Sequence, residues 1–380
     1  MIRLLYRCFR SNSIPCGDKI LYSVSSKFRP SRWNSVWCGA DEENMKPVRI
    51  AVVGAGAVGL STALCIQDRI RNCDVHIIAE KFSPSTTSDG SAGLWTPFLV
   101  PQDQIDIVTR WSMDTYRYLL GLFRSETAYR DGVQLISGFN FCQEVKTDPP
   151  WCKDVIGFRR LEEEELQDYP GKEFGIFYTA FTLDVPSLLS SYMRTFRDRG
   201  GFVIPKKLKS LQEIESSYDI IVNCVGIGAA ELLNDTKIKS KRGQVIRVKA
   251  PWIKHFYIDI DRNNDVTYIL PGIETVVLGG TAQDGDWNTE DDQADIDGIM
   301  ERCLKVMPSL KDSKRQGAWA GLRPYRESVR LEIDRDTDNS KAKIVHNYGH
   351  GGAGLTIFWG CANDAAALVV DLVNSRKSKI

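Results

Sequence analysis

The sequence predicts an α/β fold in which an open parallel sheet is interrupted by a mixed sheet and then resumed. Three observations support this. Val48-Arg49-Ile50-Ala51-Val52-Val53 is a β-branched run, read as a buried parallel strand, that enters Gly54-Ala55-Gly56-Ala57-Val58-Gly59 directly. A similar strand, Asp219-Ile220-Ile221-Val222-Asn223-Cys224-Val225-Gly226, comes only after a long insertion. Gln244–Val248, Val266–Leu270 and Thr275–Leu278 then read as strands of a second sheet, the last two joined by a Pro271-Gly272 turn.

Composition limits the alternatives. With 380 residues, 43% hydrophobic and 26% charged, the chain can bury a large core, which excludes a disordered polymer or a disulfide-stapled miniprotein. No uninterrupted run of 18 apolar residues occurs, so no transmembrane segment is expected. Ten cysteines lie scattered from Cys8 to Cys361 without a CxxC or a Cys/His cluster, so no metal site is expected. The formal charge is zero, but Arg3, Arg7, Arg10, Lys19, Lys27, Arg29 and Arg32 face one acid, Asp18, in the first 40 residues. The acidic remainder offers no phosphate-tracking surface, so nucleic acid is not an expected partner.

The two ends read as addresses. Residues 1–45 are basic, Ser-bearing and poor in acid, the composition of an organelle presequence or of a disordered extension upstream of Met45. The C-terminal Ser378-Lys379-Ile380 is chemically close to a Ser-Lys-Leu peroxisomal address, which would make an import receptor a partner. A peroxisomal location is expected from the tail, with a mitochondrial one as the alternative from the N-terminus.

The glycine run has a specific reading. Its first glycine permits a tight turn, its second lets backbone approach a pyrophosphate, and its third lets helix pack on strand. Leu60–Ile66 continues as a helix whose N-terminus favours phosphate. Asp74–Ala79 is a second strand, and Glu80 closes it 21 residues past Gly59, placed to accept from ribose hydroxyls. The acid disfavours a 2′-phosphate, leaving FAD or NAD. Beyond it, Lys81–Trp95 is a loop rich in hydroxyls and glycine. Residues 104–127 show the apolar spacing of an amphipathic helix, 160–168 form an acidic helical turn, Tyr348–Thr356 a second glycine loop, and Ala362–Val373 a closing helix.

Taken together these blocks resemble the D-amino-acid oxidase and D-aspartate oxidase family of flavoenzymes over roughly residues 47–374. The resemblance rests on AVVGAGAVGLSTA (51–63), TTSDGSAGLWTP (86–97), DIIVNCVGIGA (219–229), RGQVIRVKAPWIKHF (242–256), YILPG (268–272), LGGTAQDGDWN (278–288), GLRPYR (321–326) and HNYGHGGAGLTIFWG (346–360). It implies FAD, and a Rossmann-like FAD-binding domain interleaved with a mixed-sheet substrate domain. The expected division is an extension at 1–45, FAD-binding parts at 46–100, 206–235 and 313–380, a mostly substrate-binding segment at 101–205, and a substrate segment with a lid at 236–312.

The same resemblance assigns roles. Dinucleotide contacts fall on Gly54, Ala55, Gly56, Val58 and Gly59, with Glu80 and Lys81 on the ribose and adenosine side. Thr86, Thr87 and Ser88 would face the pyrophosphate. Ala92, Gly93 and Leu94 would lie around the flavin ring, and Leu208 and Val225 along the adenine. Gly351, Gly352, Gly354, Leu355 and Thr356 would meet the flavin pyrimidine, stabilising charge at N1–O2. Arg323 would grip a substrate carboxylate, which a guanidinium fork matches bidentately. Tyr268 would bond the same carboxylate, and the Gly352 carbonyl would accept from the amine. His255 and His350 receive no proton-transfer role.

The implied reaction is oxidation of a D-amino acid by O2 to a 2-oxo acid, ammonia and hydrogen peroxide. D-aspartate oxidases resemble one another in two further arginines; Ala282 and Ile258 stand at those positions here, which favours neutral substrates. Arg262, in the loop from Tyr257 to Val266, would supply one charge if it folds over the site, whereas Asp259, Asp261 and Asp265 would favour a cationic substrate. A D-aspartate oxidase is the first alternative; an NAD-linked reductase or a non-catalytic flavin-binding protein is the alternative of another class. Family members often dimerise, so a homodimer is a further expectation.

Overall fold

The computed structural model describes residues 46–97, 102–143, 146–260, 266–335 and 341–377. The extension 1–45, Asp261, Arg262 and Asp265, and the tail Ser378–Ile380 lie outside the described residues.

The first unit forms as its residues dictate. In β1 (Val48–Val53), Ile50 and Val52 pack into one cluster and Ala51 and Val53 into another, so the strand is apolar on both faces. The chain turns at Gly54, whose φ of +115° suits glycine, into α1 (Ala57–Arg69). Ser61 and Thr62 are fully buried in that helix because their hydroxyls donate to the carbonyls of Ala57 and Val58, both at 2.7 Å. β2 (Cys73–Ala79) pairs parallel with β1.

The insertion then supplies α2 (Ile105–Phe123), β3 (Val133–Cys142), β4 (Ile156–Arg160), the acidic turn α3 (Glu163–Leu166), β5 (Phe174–Leu183), α4 (Val185–Asp198) and β6 (Phe202–Pro205). α5 (Gln212–Glu215) leads to β7 (Ile220–Asn223), and α6 (Ala229–Leu232) to β8 (Lys239–Lys249), β9 (Phe256–Ile260), β10 (Val266–Pro271) and β11 (Val276–Gly279). The short β12 (Gln283–Asp284) and α7 (Gln293–Val306) precede β13 (Lys314–Ile333), β14 (Lys343–His350) and α8 (Gly354–Lys377).

All the described strands join one 14-stranded sheet, ordered β4-β5-β3-β9-β10-β11-β8-β13-β14-β7-β1-β2-β6, with β12 added beside β8. From β14 to β6 every pairing is parallel; from β13 to β9 every pairing is antiparallel. β13 joins the two regimes. Its residues Lys314–Tyr325 pair with β8, and after a register shift between Tyr325 and Arg330 the rest pairs with β14.

Several elements differ from the sequence reading. α2 stops at Phe123, where the Ser125 hydroxyl and N–H both donate to Leu122 O and close the end. Segment 101–205 contributes β6 to the parallel half and packs α2 on α8 and α4 on α1, so much of it covers the nucleotide side. A cut at 312/313 assigns β13 to one half, whereas hydrogen bonding shares it. The closing helix begins at Gly354 rather than Ala362, so the second glycine loop is partly helix. By length and hydropathy α8 could cross a membrane, although no unbroken apolar run announced it; more than half of that stretch is buried, packed on α1 and α2.

A Cβ on Gly59 would lie 2.1 Å from Gly54 O, a backbone atom with no route of retreat. Gly59→Ala is expected to destabilise the protein by roughly 1–3 kcal/mol or more and to release FAD, read as a lower urea midpoint and loss of bound-flavin absorbance.

Candidate active site

A cavity of about 530 Å³ runs along the junction of the two half-sheets. Every residue assigned to cofactor or substrate from the sequence lines it: Gly54, Ala55, Gly56, Val58, Gly59, Glu80, Lys81, Thr86, Thr87, Ser88, Ala92, Gly93, Leu94, Leu208, Val225, Tyr268, Arg323, Gly351, Gly352, Gly354, Leu355 and Thr356.

At one end lies the glycine turn. Side chains at 54 and 59 would collide with Cys224 O and Gly54 O, so the turn presents bare backbone, a cradle suited to a pyrophosphate. The Ser88 hydroxyl accepts from Ala57 N at 3.1 Å, at the first turn of α1. Thr86 donates from both N and Oγ1 to Asp89 Oδ2, so its hydroxyl braces the loop rather than pointing at a ligand. Glu80 ends β2 exposed, 3.9 Å from Lys207 Nζ. Gly93, at φ +83°, holds its segment against β5, with Leu183 N donating to Gly93 O.

At the other end, the site is laid out by cross-strand register. Asn140, Ile258, Tyr268, Gly279, Val245 and Trp319 stand opposite one another on β3, β9, β10, β11, β8 and β13. Directly paired residues share a face, so this row forms a floor. Glycines make room for its large members. A Cβ on Gly279 would overlap the Tyr268 ring, one on Gly321 or Gly90 the Trp319 indole, and one on Gly243 the Arg323 guanidinium.

Arg323 follows two residues after Gly321 on β13, on the same face. Its Nη1 donates to Thr281 O at 2.9 Å and, more weakly, to Arg242 O at 3.4 Å. The Tyr268 hydroxyl lies against it. Burial raises the phenol's proton affinity, and the Arg323 guanidinium, by charge and hydrogen bond, opposes that rise. The phenol therefore stays protonated at neutral pH and can donate.

The second glycine segment closes the cavity. Gly351–Ala353 is a single tight turn, and Gly354, Leu355 and Thr356 open α8, whose first N–H groups have no helical partner. Two helix N-termini, of α1 and α8, thus converge on one cavity. Thr356 Oγ1 donates to Thr96 O at 2.7 Å, so this position offers backbone rather than a hydroxyl proton.

Asn140, Ile258, Ile260, Leu270, Trp319, Asn347 and His350 also line the cavity. Of these, Asn140, Ile260, Leu270, Trp319 and Asn347 had no assigned part in the sequence reading. Asn140 lies on β3, whose residues carry no regular apolar–polar alternation, and nothing local says which strand it pairs with. Asn347 donates from Nδ2 to Thr62 Oγ1 at 3.1 Å, leaving its Oδ1 to accept from His350 Nε2 at 3.1 Å. Burial lowers His350 to about 4, so it is neutral at physiological pH. Between about 6.5 and 4 the unfolded chain binds a proton that the folded chain refuses; stability therefore falls as pH drops through this window and levels off below it. The gap is worth about 3 kcal/mol. His350→Asn is expected to flatten this part of the curve, measured as urea midpoints between pH 4 and 7 against the wild type.

A family model described as FAD dependent oxidoreductase matches residues 49–368. The chain is 40% identical over 339 residues to a D-aspartate oxidase from Homo sapiens, covering 88% of this chain and 98% of that one. It is 36% identical over 322 residues to a D-amino-acid oxidase from Rubrobacter xylanophilus, covering 84% and 95%. Among solved structures, a glycine oxidase from Bacillus cereus shares the fold with a TM-score of 0.66, at 16% identity, covering 85% of this chain and 95% of that one. The cradle, the acid after β2 and the matched length agree: the chain belongs to the FAD-dependent oxidoreductase family that contains the D-amino-acid and D-aspartate oxidases.

Proposed function

We propose that this protein oxidises D-amino acids with dioxygen and water to 2-oxo acids, ammonia and hydrogen peroxide, with neutral D-amino acids preferred. The supporting observation is the adjacency of Arg323 and Tyr268 on the floor of a cavity that also contains both glycine segments.

The chain's own residues bind, orient and dehydrate the substrate. Arg323 meets the carboxylate with a planar fork whose two N–H edges match it bidentately. Tyr268 donates a second hydrogen bond, which fixes the carboxylate in the plane of that fork. Gly352, in the tight turn before α8, offers a carbonyl to the amine without a side chain in the way. Carboxylate and amine held at two places orient the Cα–H, which is how one enantiomer is selected. Bound FAD supplies the two-electron acceptor that dioxygen regenerates. The glycine turn and the α1 N-terminus would hold its pyrophosphate, and the α8 N-terminus would stabilise negative charge near its pyrimidine. His350, neutral and bonded to Asn347, needs no part in proton transfer.

The wall beside Tyr268 supports the preference for neutral substrates. Ile258, Ile260 and Leu270 line it, and among the described lining residues the cations are Lys81, Lys206 and Lys207, grouped with Glu80, and Arg323. Among the described lining residues none beside Ile258 offers a cation to a second carboxylate, and burying one unpaired costs about 3–5 kcal/mol. The 40% identity to the human D-aspartate oxidase favours the other reading, which D-aspartate turnover exceeding that of D-alanine would establish.

Peroxide release from D-alanine but not L-alanine is the primary assay, and it separates an oxidase from a protein that only binds flavin. Arg323→Ala is expected to lower kcat/KM for D-alanine by roughly 10²–10³-fold with flavin content retained; an unchanged rate overturns the assignment. Ile258→Arg is expected to shift the ratio of D-aspartate to D-alanine kcat/KM upward by about tenfold or more.

A further inference from the structure

β8 places the guanidinium of Arg247 on the same face as the floor of the site. Gly243 and Val245 line the cavity, and Arg247 follows two residues after Val245 in the same strand. Its Nη2 donates to the carbonyls of Gly90 and Ser91, each at 3.3 Å. Among the described residues no carboxylate pairs with it. Burial disfavours its charge, with Tyr268 and Asp184 opposing that effect. A half-buried cation held only by neutral carbonyls keeps its charge uncompensated.

The two carbonyls belong to a wall of the cavity, since Gly90, Ser91, Ala92, Gly93 and Leu94 all line it. The segment is anchored at both ends. A Cβ on Gly90 would overlap the Trp319 indole, and Gly93 O accepts from Leu183 N. Between these anchors, the planar trans peptide from Ser91 to Ala92 sets the Ala92 N–H opposite the Ser91 carbonyl. With that carbonyl turned to Arg247, the N–H points away from the guanidinium. It has no hydrogen-bond partner among the described residues. Ala92 borders the cavity and Arg247 does not, so the wall offers the cavity a donor. Turning the same peptide over would offer an acceptor instead.

We infer that Arg247 is a positioning residue for the flavin, holding the Ser91–Ala92 peptide with its N–H toward the cavity so that the wall favours the electron-rich, reduced form of the ring. A fixed donor stabilises negative charge more than it stabilises a neutral ring, and the uncompensated cation behind the peptide acts in the same direction. The inference rests on the family's flavin and holds whichever D-amino acid is the substrate.

The test compares FAD-loaded wild type and variants without any substrate, by two readings. One is the midpoint potential of the bound flavin against a reference dye. The other is the dissociation constant of sulfite, a nucleophile that adds reversibly to an electron-poor flavin. Arg247→Met removes donor and charge together. It is expected to disfavour reduction by about tenfold, which is about 30 mV for a two-electron couple, and to weaken sulfite binding by about tenfold. Arg247→Lys keeps a cation with donors and is expected to recover most of both. Urea midpoints on the same samples separate these shifts from loss of fold. If Arg247→Met fails to hold FAD, Arg247→Gln replaces it, with a shift of the same sign expected. A folded Met or Gln variant with wild-type potential and sulfite affinity overturns the inference. Equal losses in Arg247→Met and Arg247→Lys also overturn it, because they mark a packing role. Neither reading needs turnover, so failure here leaves the proposed reaction standing, and absence of D-amino-acid oxidation leaves this inference to its own test.

Discussion

β13 hydrogen-bonds to β8 along its first half and to β14 along its second, and the geometry of the site depends on that sharing. A parallel nucleotide-binding sheet and an antiparallel substrate sheet become one surface at this strand. Arg323 sits near the end of the β8-paired stretch, two residues before the register shift begins. Its distance from the cradle after β1 is set by interstrand spacing rather than by loops, which makes the position of the charge as rigid as the sheet itself.

The floor of the site is a problem of space before it is one of charge. Tyr268, Trp319 and Arg323 are large side chains lying on a sheet face, and each lies where a neighbouring residue has no Cβ. Gly243, Gly279 and Gly321 therefore act as sockets. The guanidinium is held by the carbonyls of Thr281 and Arg242, which fix its place without cancelling its charge. Tyr268 shares its environment, so burial and the neighbouring cation oppose each other on one hydroxyl. The phenol stays a donor, as recognition of a carboxylate requires.

Two helix N-termini meet in the same cavity, from α1 and from α8, and the helices pack on each other. The first follows a glycine turn that was plain in the sequence. The second was hidden: Tyr348–Thr356 reads as a loop because it is rich in glycine, yet from Gly354 onward it is helix. Its tertiary setting outweighs low helix propensity, since the segment is packed beneath α2 and beside α1.

What the sequence determined alone was local. The strand–turn–helix around Gly54–Gly59, the acid after β2, and the blocks containing Tyr268 and Arg323 are short-range patterns, each readable because its residues are neighbours in the chain. What only the tertiary structure decided was which distant residues share a face. Asn140, Ile258, Tyr268, Val245 and Trp319 form one row because β3, β9, β10, β11, β8 and β13 pair in a particular register, and a slip of one residue on any strand would turn its member to the other side. Pairing between strands far apart in sequence leaves no periodic mark in either strand, so the floor and the place of Asn140 in it became visible only once the sheet was assembled.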